Sequence, residues 1–200
     1  GELAPEVPIR HAMHDGLLKE ALEAGELTAD IRRRTAAAVV AEAENDAAVV
    51  LCTCSTVGPG ADDAARMTAA KIMRIDRPMA EAAVRMGKRI GVAATVSTTL
   101  EPTLELLSQA AAEAGAEVDL RPVIYDGARD KLMAGDTENY VRIIADGLHR
   151  TALESDVIVL AQASMAPALE ACADIEVPIL TSPRSGFEAA IAAYKAISTT

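Results

Sequence analysis

Aromatic side chains are scarce: Tyr125, Tyr140, Tyr194 and Phe187 are the whole set, Trp is absent, and the class makes up 2% of 200 residues. A core without rings must pack Ala, Val, Leu, Ile and Met. Half of the residues are apolar, enough to bury a sizeable core without disulfides or metals. A surplus of basic charge is also missing. The 19 Lys and Arg stand against 30 Asp and Glu, for a formal net charge of −11 and a pI near 4.7. That balance, with so few rings for base stacking, argues against a nucleic acid partner. No 18-residue stretch lacks charge, so no membrane span is expected. Collagen-like, disordered and disulfide-scaffold classes are excluded by the same figures.

Cysteine is sparse and odd in number: Cys52, Cys54 and Cys172. With no leader-like segment read at the start, a reducing, cytoplasmic compartment is expected. The C-x-C spacing of Cys52 and Cys54 is too tight for a zinc knuckle, and the histidines are only His11, His14 and His149. No metal site is expected.

What the chain does have is alternation. Short apolar runs predict strands over residues 8–13, 48–54, 72–76, 89–95, 117–125, 156–162 and 177–181. Ala-rich amphipathic stretches predict helices over 28–45, 61–70, 79–86, 101–114, 137–154, 164–173 and 185–197, with a shorter one over 16–24. This is the pattern of an α/β fold with parallel sheets. Gly115 stands where a helix C-terminal glycine is expected, Ser185-x-x-Glu188 reads as a capping box, and Pro78 marks a helix start. Residues 48–56 and 156–164 share a faint repeat: a small or acidic start, an apolar run, small polar residues, then a helix. Two α/β lobes follow, an N-terminal one of residues 1–78 plus 183–200 and a second of 79–182. A lobe of this kind ordinarily opens on an apolar strand, whereas the chain opens Gly1-Glu2-Leu3-Ala4-Pro5. The expectation is that it begins after a first strand or has an unusually small N-terminal lobe.

Ligands of open α/β sheets bind beyond the carboxyl ends of the strands, beside helix N-termini. Those ends read Cys54-Ser55-Thr56, Asp76, Thr95-Val96-Ser97-Thr98-Thr99, Gln162-Ala163-Ser164 and Thr181-Ser182. Hydroxyls, one thiol and one amide dominate, with no Lys, His or Arg. Such a rim can hold a small carboxylate through hydroxyl and backbone N–H groups. It offers no metal ligands and no Schiff-base lysine. Any one Ser or Thr there could be a helix cap, but the same chemistry recurs at four ends. A thiol at a strand end, facing a helix N-terminus, should be acidified and serve as base or nucleophile, which singles out Cys54. Cys52, two residues inside its strand, and Cys172, late in a helix, read as core.

Two segments carry a resemblance. Leu51-Cys52-Thr53-Cys54-Ser55-Thr56 resembles the Cys-Asn-Thr segment of the aspartate/glutamate racemase superfamily, with Ser55 in place of Asn. Arg89-Ile90-Gly91-Val92-Ala93-Ala94-Thr95-Val96-Ser97-Thr98 is similar to its I-G-V-x-A-T-x-G-T segment, with Ser97 in place of Gly. The order of elements fits from about residue 8 to 190. The resemblance implies two pseudo-symmetric lobes with the active site in the cleft between them. It also implies cofactor-independent chemistry at the carbon next to a carboxylate, with two cysteines acting from opposite faces. Carried over, Cys54 is one acid/base, and Ser55, Thr56, Thr95 and Thr98 bind the substrate, with Ser97, Gln162 and Ser164 completing the rim.

The second cysteine position falls on Gln162 in Leu160-Ala161-Gln162-Ala163-Ser164-Met165. Neither an amide nor a hydroxyl is a competent acid or base near neutral pH without a partner. Single-cysteine chemistry therefore fits best: an isomerase acting on a small carboxylate, either by thiol addition or with a second group such as Asp15 or Asp76. A single-cysteine decarboxylase of a malonate-like acid ranks next, and a non-catalytic carboxylate-binding protein third. A homo-oligomer through an Ala-rich helical face is expected. His11, His14 and Asp15 read as surface and capping groups, Arg184 as a loop arginine or carboxylate ligand, and Arg32-Arg33-Arg34 as a solvated face.

Overall fold

Residues 3–198 are described in a computed structural model; Gly1, Glu2, Thr199 and Thr200, which the sequence places at the ends of the N-terminal lobe, lie outside the described residues. The chain divides into two compact units, Gly1–Asp76 joined by Pro183–Thr200, and Arg77–Ser182.

The first unit contains α1 (Asp15–Ala24), α2 (Ala29–Glu44), β1 (Val49–Cys52), α3 (Gly58–Ala65), β2 (Lys71–Arg74) and nearly all of α8 (Ser182–Ser198). Thr28 starts α2, its hydroxyl accepting the Ile31 N–H at 3.3 Å. β1 and β2 pair in parallel, from Val49 opposite Lys71 to Cys52 opposite Arg74. Ala36, Ala61, Ala64 and Ile72 are buried at the core, with Val39, Val40, Val50 and Cys52 packed around them. Small side chains let α2 and α3 approach closely. A Cβ on Gly60 would sit 2.6 Å from that of Thr35.

The second unit runs α4 (Arg77–Met86), β3 (Arg89–Ala94), α5 (Ser97–Ala114), β4 (Asp119–Ile124), α6 (Ala128–Met133), α7 (Thr137–Ala152), β5 (Val157–Leu160), a 3₁₀ helix (Ala163–Cys172) and β6 (Ile179–Thr181). Its four-stranded sheet is parallel throughout, in the order β4-β3-β5-β6. All four β5 residues are buried, as an unbroken Val-Ile-Val-Leu run requires between two helical layers. Period-2 geometry splits them. Val157 and Val159 join Met79, Leu106 and Leu107, whereas Ile158 and Leu160 join Tyr140, Ile144, Leu148 and Met165. The sheet is therefore wound on both faces. Gly115 closes α5 in the left-handed conformation (φ 62°).

Six of the seven expected strands form. Residues 8–13 do not: they are exposed, Pro8 lacks a ladder donor, and no strand pairs with them. The capping box at Ser185 is also absent. α8 starts three residues earlier, with Pro183 in its first turn, so Ser185 is internal and Glu188 pairs with Arg184 at 2.9 Å. α5 starts at Ser97, not 101, and accommodates Pro102. The expected helix over 164–173 is 3₁₀, with Pro167 inside it lacking the N–H for an i→i−4 bond. α6, between Gly127 (φ 77°) and Gly135 (φ 73°), has too few residues for a periodic signal and was not expected.

Candidate functional site

In the second unit the chain leaves β3 for β4 through α5 and later reaches β5, on the other side of β3, through α7. The strand order reverses between β3 and β5, and a doubly wound sheet opens a crevice beyond the carboxyl ends at that point. Thr95 and Gln162 meet there. Ala93 is the register partner of Leu160, so the residues two positions on lie opposite each other. The Thr95 N–H and hydroxyl both donate to Gln162 Oε1, at 2.7 and 2.9 Å. A backbone N–H can only donate, so the atom facing it is the amide oxygen, and the Gln162 NH₂ is left without a partner among the described residues.

α5 begins two residues after Thr95. Its N-cap position is Val96, which has no side-chain oxygen to cap the first N–H groups. Ser97 is exposed in the first turn; Thr98 follows, buried, its hydroxyl without a hydrogen-bond partner among the described residues. An unpaired buried hydroxyl costs about 1–3 kcal/mol, so it needs an explanation. The Gln162 amide beyond β5 and the start of α5 beyond β3 are donors of the kind an oxyanion takes. Ser164 is exposed and accepts the Tyr140 hydroxyl at 3.0 Å, while burial pushes the Tyr140 pKa up.

In the first unit, residues 53–57 connect β1 to α3 and carry Cys54, Ser55 and Thr56. The segment is tied at several points. Cys52 Sγ donates to the Cys54 carbonyl at 3.6 Å, Gly58 N–H donates to the Ser55 carbonyl at 3.1 Å, and Thr56 is buried. Cys54 and Ser55 are half-buried. Burial pushes the Cys52 thiol up to about 11, so at neutral pH it stays protonated. Burial also raises Cys172, which packs among Tyr140, Leu148 and Met165. Cys172 is a core residue, and Cys52, half-buried like Cys54, packs against the core of the first unit.

Arg74 was not anticipated in a rim free of basic residues. It is 3% exposed at the end of β2 and binds both oxygens of Asp76 (Nε–Oδ1 and Nη2–Oδ2, each 2.9 Å) and Asp62 on α3 (Nη1–Oδ2 2.8 Å). Burial opposes its charge, but the two carboxylates outweigh that and hold the guanidinium above its ordinary pKa. The sequence signal was Arg74-x-Asp76, which period 2 puts on one face of a strand. Each Asp76 oxygen thus accepts one bond from Arg74; Asp15 lies exposed in the first turn of α1.

Other polar candidates resolve simply. His14 Nε2 lies 3.4 Å from Glu42 and its side chain does not cap α1. Arg32 pairs with Asp63 and Arg34 with Glu20, partly exposed ion pairs that link α2 to α3 and to α1. Among the described residues no three His, Cys, Asp or Glu side chains converge as metal ligands, and no helix is long and apolar enough to cross a membrane.

A search of curated proteins returns no match. Among solved structures, a glutamate racemase isoform from Bacillus anthracis is similar with a TM-score of 0.63 at 17% identity, over 84% of this chain and 66% of that one. An allantoin racemase from Klebsiella pneumoniae matches with a TM-score of 0.57 at 16% identity, over 84% and 66%. An arylmalonate decarboxylase matches at 0.54 and 15% identity, over 82% and 76%. At such identities these neighbours show the α/β fold, and the chain spans just under two thirds of the length of both racemases. The sequence itself matches the Asp/Glu/Hydantoin racemase family over residues 1–190, nearly its whole length, and the chain belongs to that family.

Proposed function

We propose that the protein is a cofactor-independent isomerase of the racemase type, acting at the carbon next to the carboxylate of a small acid. Cys54 removes the α-proton from one face, and a second acid or water returns a proton to the opposite face. Ser55 and Thr56 bind the substrate alongside it, and Thr95, Ser97, Thr98, Gln162 and Ser164 supply further contacts. Loss of the α-proton moves negative charge onto the carboxylate oxygens. Donors fixed before the reaction stabilise that charge without reorganising. The observation that carries this reading is Gln162: its carbonyl is occupied by Thr95, so its amide presents only N–H groups. The same residue stands where the resemblance puts a second thiol, which supports Cys54 as the one thiol in the proton chemistry. Three unpaired cysteines suit a reducing, cytoplasmic compartment, and an Ala-rich helical face would pair copies of the chain.

A single cysteine is also compatible with protonating the carbanion left by loss of CO₂, so a decarboxylase is the second reading. One experiment separates them. Wild type and Cys54→Ser are incubated in D₂O with D- and L-glutamate, D- and L-aspartate, allantoin and phenylmalonate. Deuterium entering the α-position of recovered starting material, and lost in Cys54→Ser, supports the isomerase. CO₂ release without such exchange supports the decarboxylase. Carboxylate binding that Cys54→Ser leaves intact, with neither reaction in wild type, refutes both.

A further inference from the structure

We infer that Arg74 is a positioning residue for the segment that carries Cys54, a role that rests on the proposed function of that thiol. Both ends of residues 53–57 are tied to β2 at Arg74, one through its backbone and the other through its side chain. At the β1 end, Cys52 is the register partner of Arg74, and its carbonyl accepts the N–H of the next residue, Ile75, at 3.0 Å. At the α3 end, the guanidinium lies flat against Gly58. A Cβ there would fall 2.5–2.6 Å from Arg74 Cζ, Nε and Nη2. One turn further along α3, Asp62 holds Nη1 at 2.8 Å, so the second turn of that helix is tied to β2 as well.

The clamp is stiff because Asp76 grips the guanidinium by two parallel bonds. Glycine at position 58 is then explained without reference to φ: its neighbour is the far end of a long side chain, but one held by three hydrogen bonds and unable to swing away. Lysine cannot replace Arg74, since one ammonium cannot grip both oxygens of Asp76 in a planar fork while reaching Asp62. Stability is a poor reason to keep such a network, because buried ion pairs exchanged for apolar residues of similar volume are often as stable or more so. Fixing the distance between the end of β1 and the start of α3 is the better reason, and Cys54 lies in the middle of that span.

The test uses the full chain as wild type, Arg74→Lys and the double variant Arg74→Met/Asp76→Leu. The double variant removes one positive and one negative charge, so the net charge near Cys54 is unchanged and any effect reports geometry. Iodoacetamide alkylation is followed peptide by peptide from pH 6 to 10, below each protein's melting temperature. The expected result is a Cys54 rate changed at least fivefold, with its pH midpoint moved by half a unit or more, in both variants. Cys52 and Cys172 stay slow, and the double variant melts within a few degrees of wild type. Folded variants with a wild-type Cys54 profile overturn the inference. So does a double variant that does not fold, since the network would then serve stability alone. Deuterium exchange that survives Cys54→Ser refutes the proposed function instead, and the alkylation result still decides the role of Arg74.

Discussion

Gln162 does two things that substitution can separate. Its oxygen satisfies the N–H of Thr95, a residue 6% exposed, and its NH₂ is the proposed carboxylate donor. Gln162→Leu is close in volume and removes both. A buried N–H left unsatisfied costs about 1–3 kcal/mol. For a chain of this size each kcal/mol lowers Tm by about 2–4 °C, so the expected drop is about 2–12 °C. Gln162→Glu keeps an acceptor facing Thr95 and removes the donors. Its melting temperature at pH 7 should stay within about 2 °C of wild type, while its affinity for a carboxylate falls at least tenfold, or about 1.4 kcal/mol. Calorimetric melts with and without millimolar D-glutamate or phenylmalonate measure both effects. Equal melting of Gln162→Leu and wild type refutes the clamp. Full ligand protection in Gln162→Glu refutes the amide as ligand donor.

Two further predictions follow from packing and charge. Gly91→Ala places a Cβ 2.7 Å from Ser155 Oγ and from Thr151 Cγ2; overpacking of this kind costs about 1–3 kcal/mol, read as a lower Tm. His149 has Nδ1 2.8 Å from the Ala145 carbonyl and Nε2 3.1 Å from both Asp174 oxygens, and both nitrogens donate only in the imidazolium form. Its pKa is raised above the ordinary value by the Ala145 carbonyl first and the Asp174 carboxylate next. The contribution to stability is therefore complete below about pH 6.5 and disappears as pH rises through the higher folded value. An NMR titration placing His149 at or below the ordinary value contradicts this, and His149→Gln should lose that part of the pH dependence of Tm.

The second unit was the more legible from sequence. Val157-Ile158-Val159-Leu160 is too short and too apolar for anything but a buried strand, and the long Ala-rich stretches carried the helical period on both sides. The first unit was harder because its sheet has only two strands, so extended-looking residues such as 8–13 find no partner and remain coil. Helix starts went astray where a proline lies beyond the first residue, as in α5 and α8. At the site, late helix position marks Cys172 as core, whereas Cys52 and Cys54 are both half-buried. The pairing of Thr95 with Gln162 was not, because it depends on the register of two strands far apart in sequence. Arg74 carries little signal in sequence because a charge inside a short apolar run reads as an exception; in the fold Asp76 and Asp62 pair with it.

Titrating the protein with substoichiometric iodoacetamide addresses the chemistry of Cys54 most directly. At each step, the fraction of Cys54 carboxamidomethylated is compared with the remaining rate of α-deuterium exchange on the substrate found in D₂O. The account predicts that activity falls in proportion to Cys54 occupancy and reaches zero when that one sulfur is fully capped. Undiminished exchange at complete capping of Cys54 contradicts it.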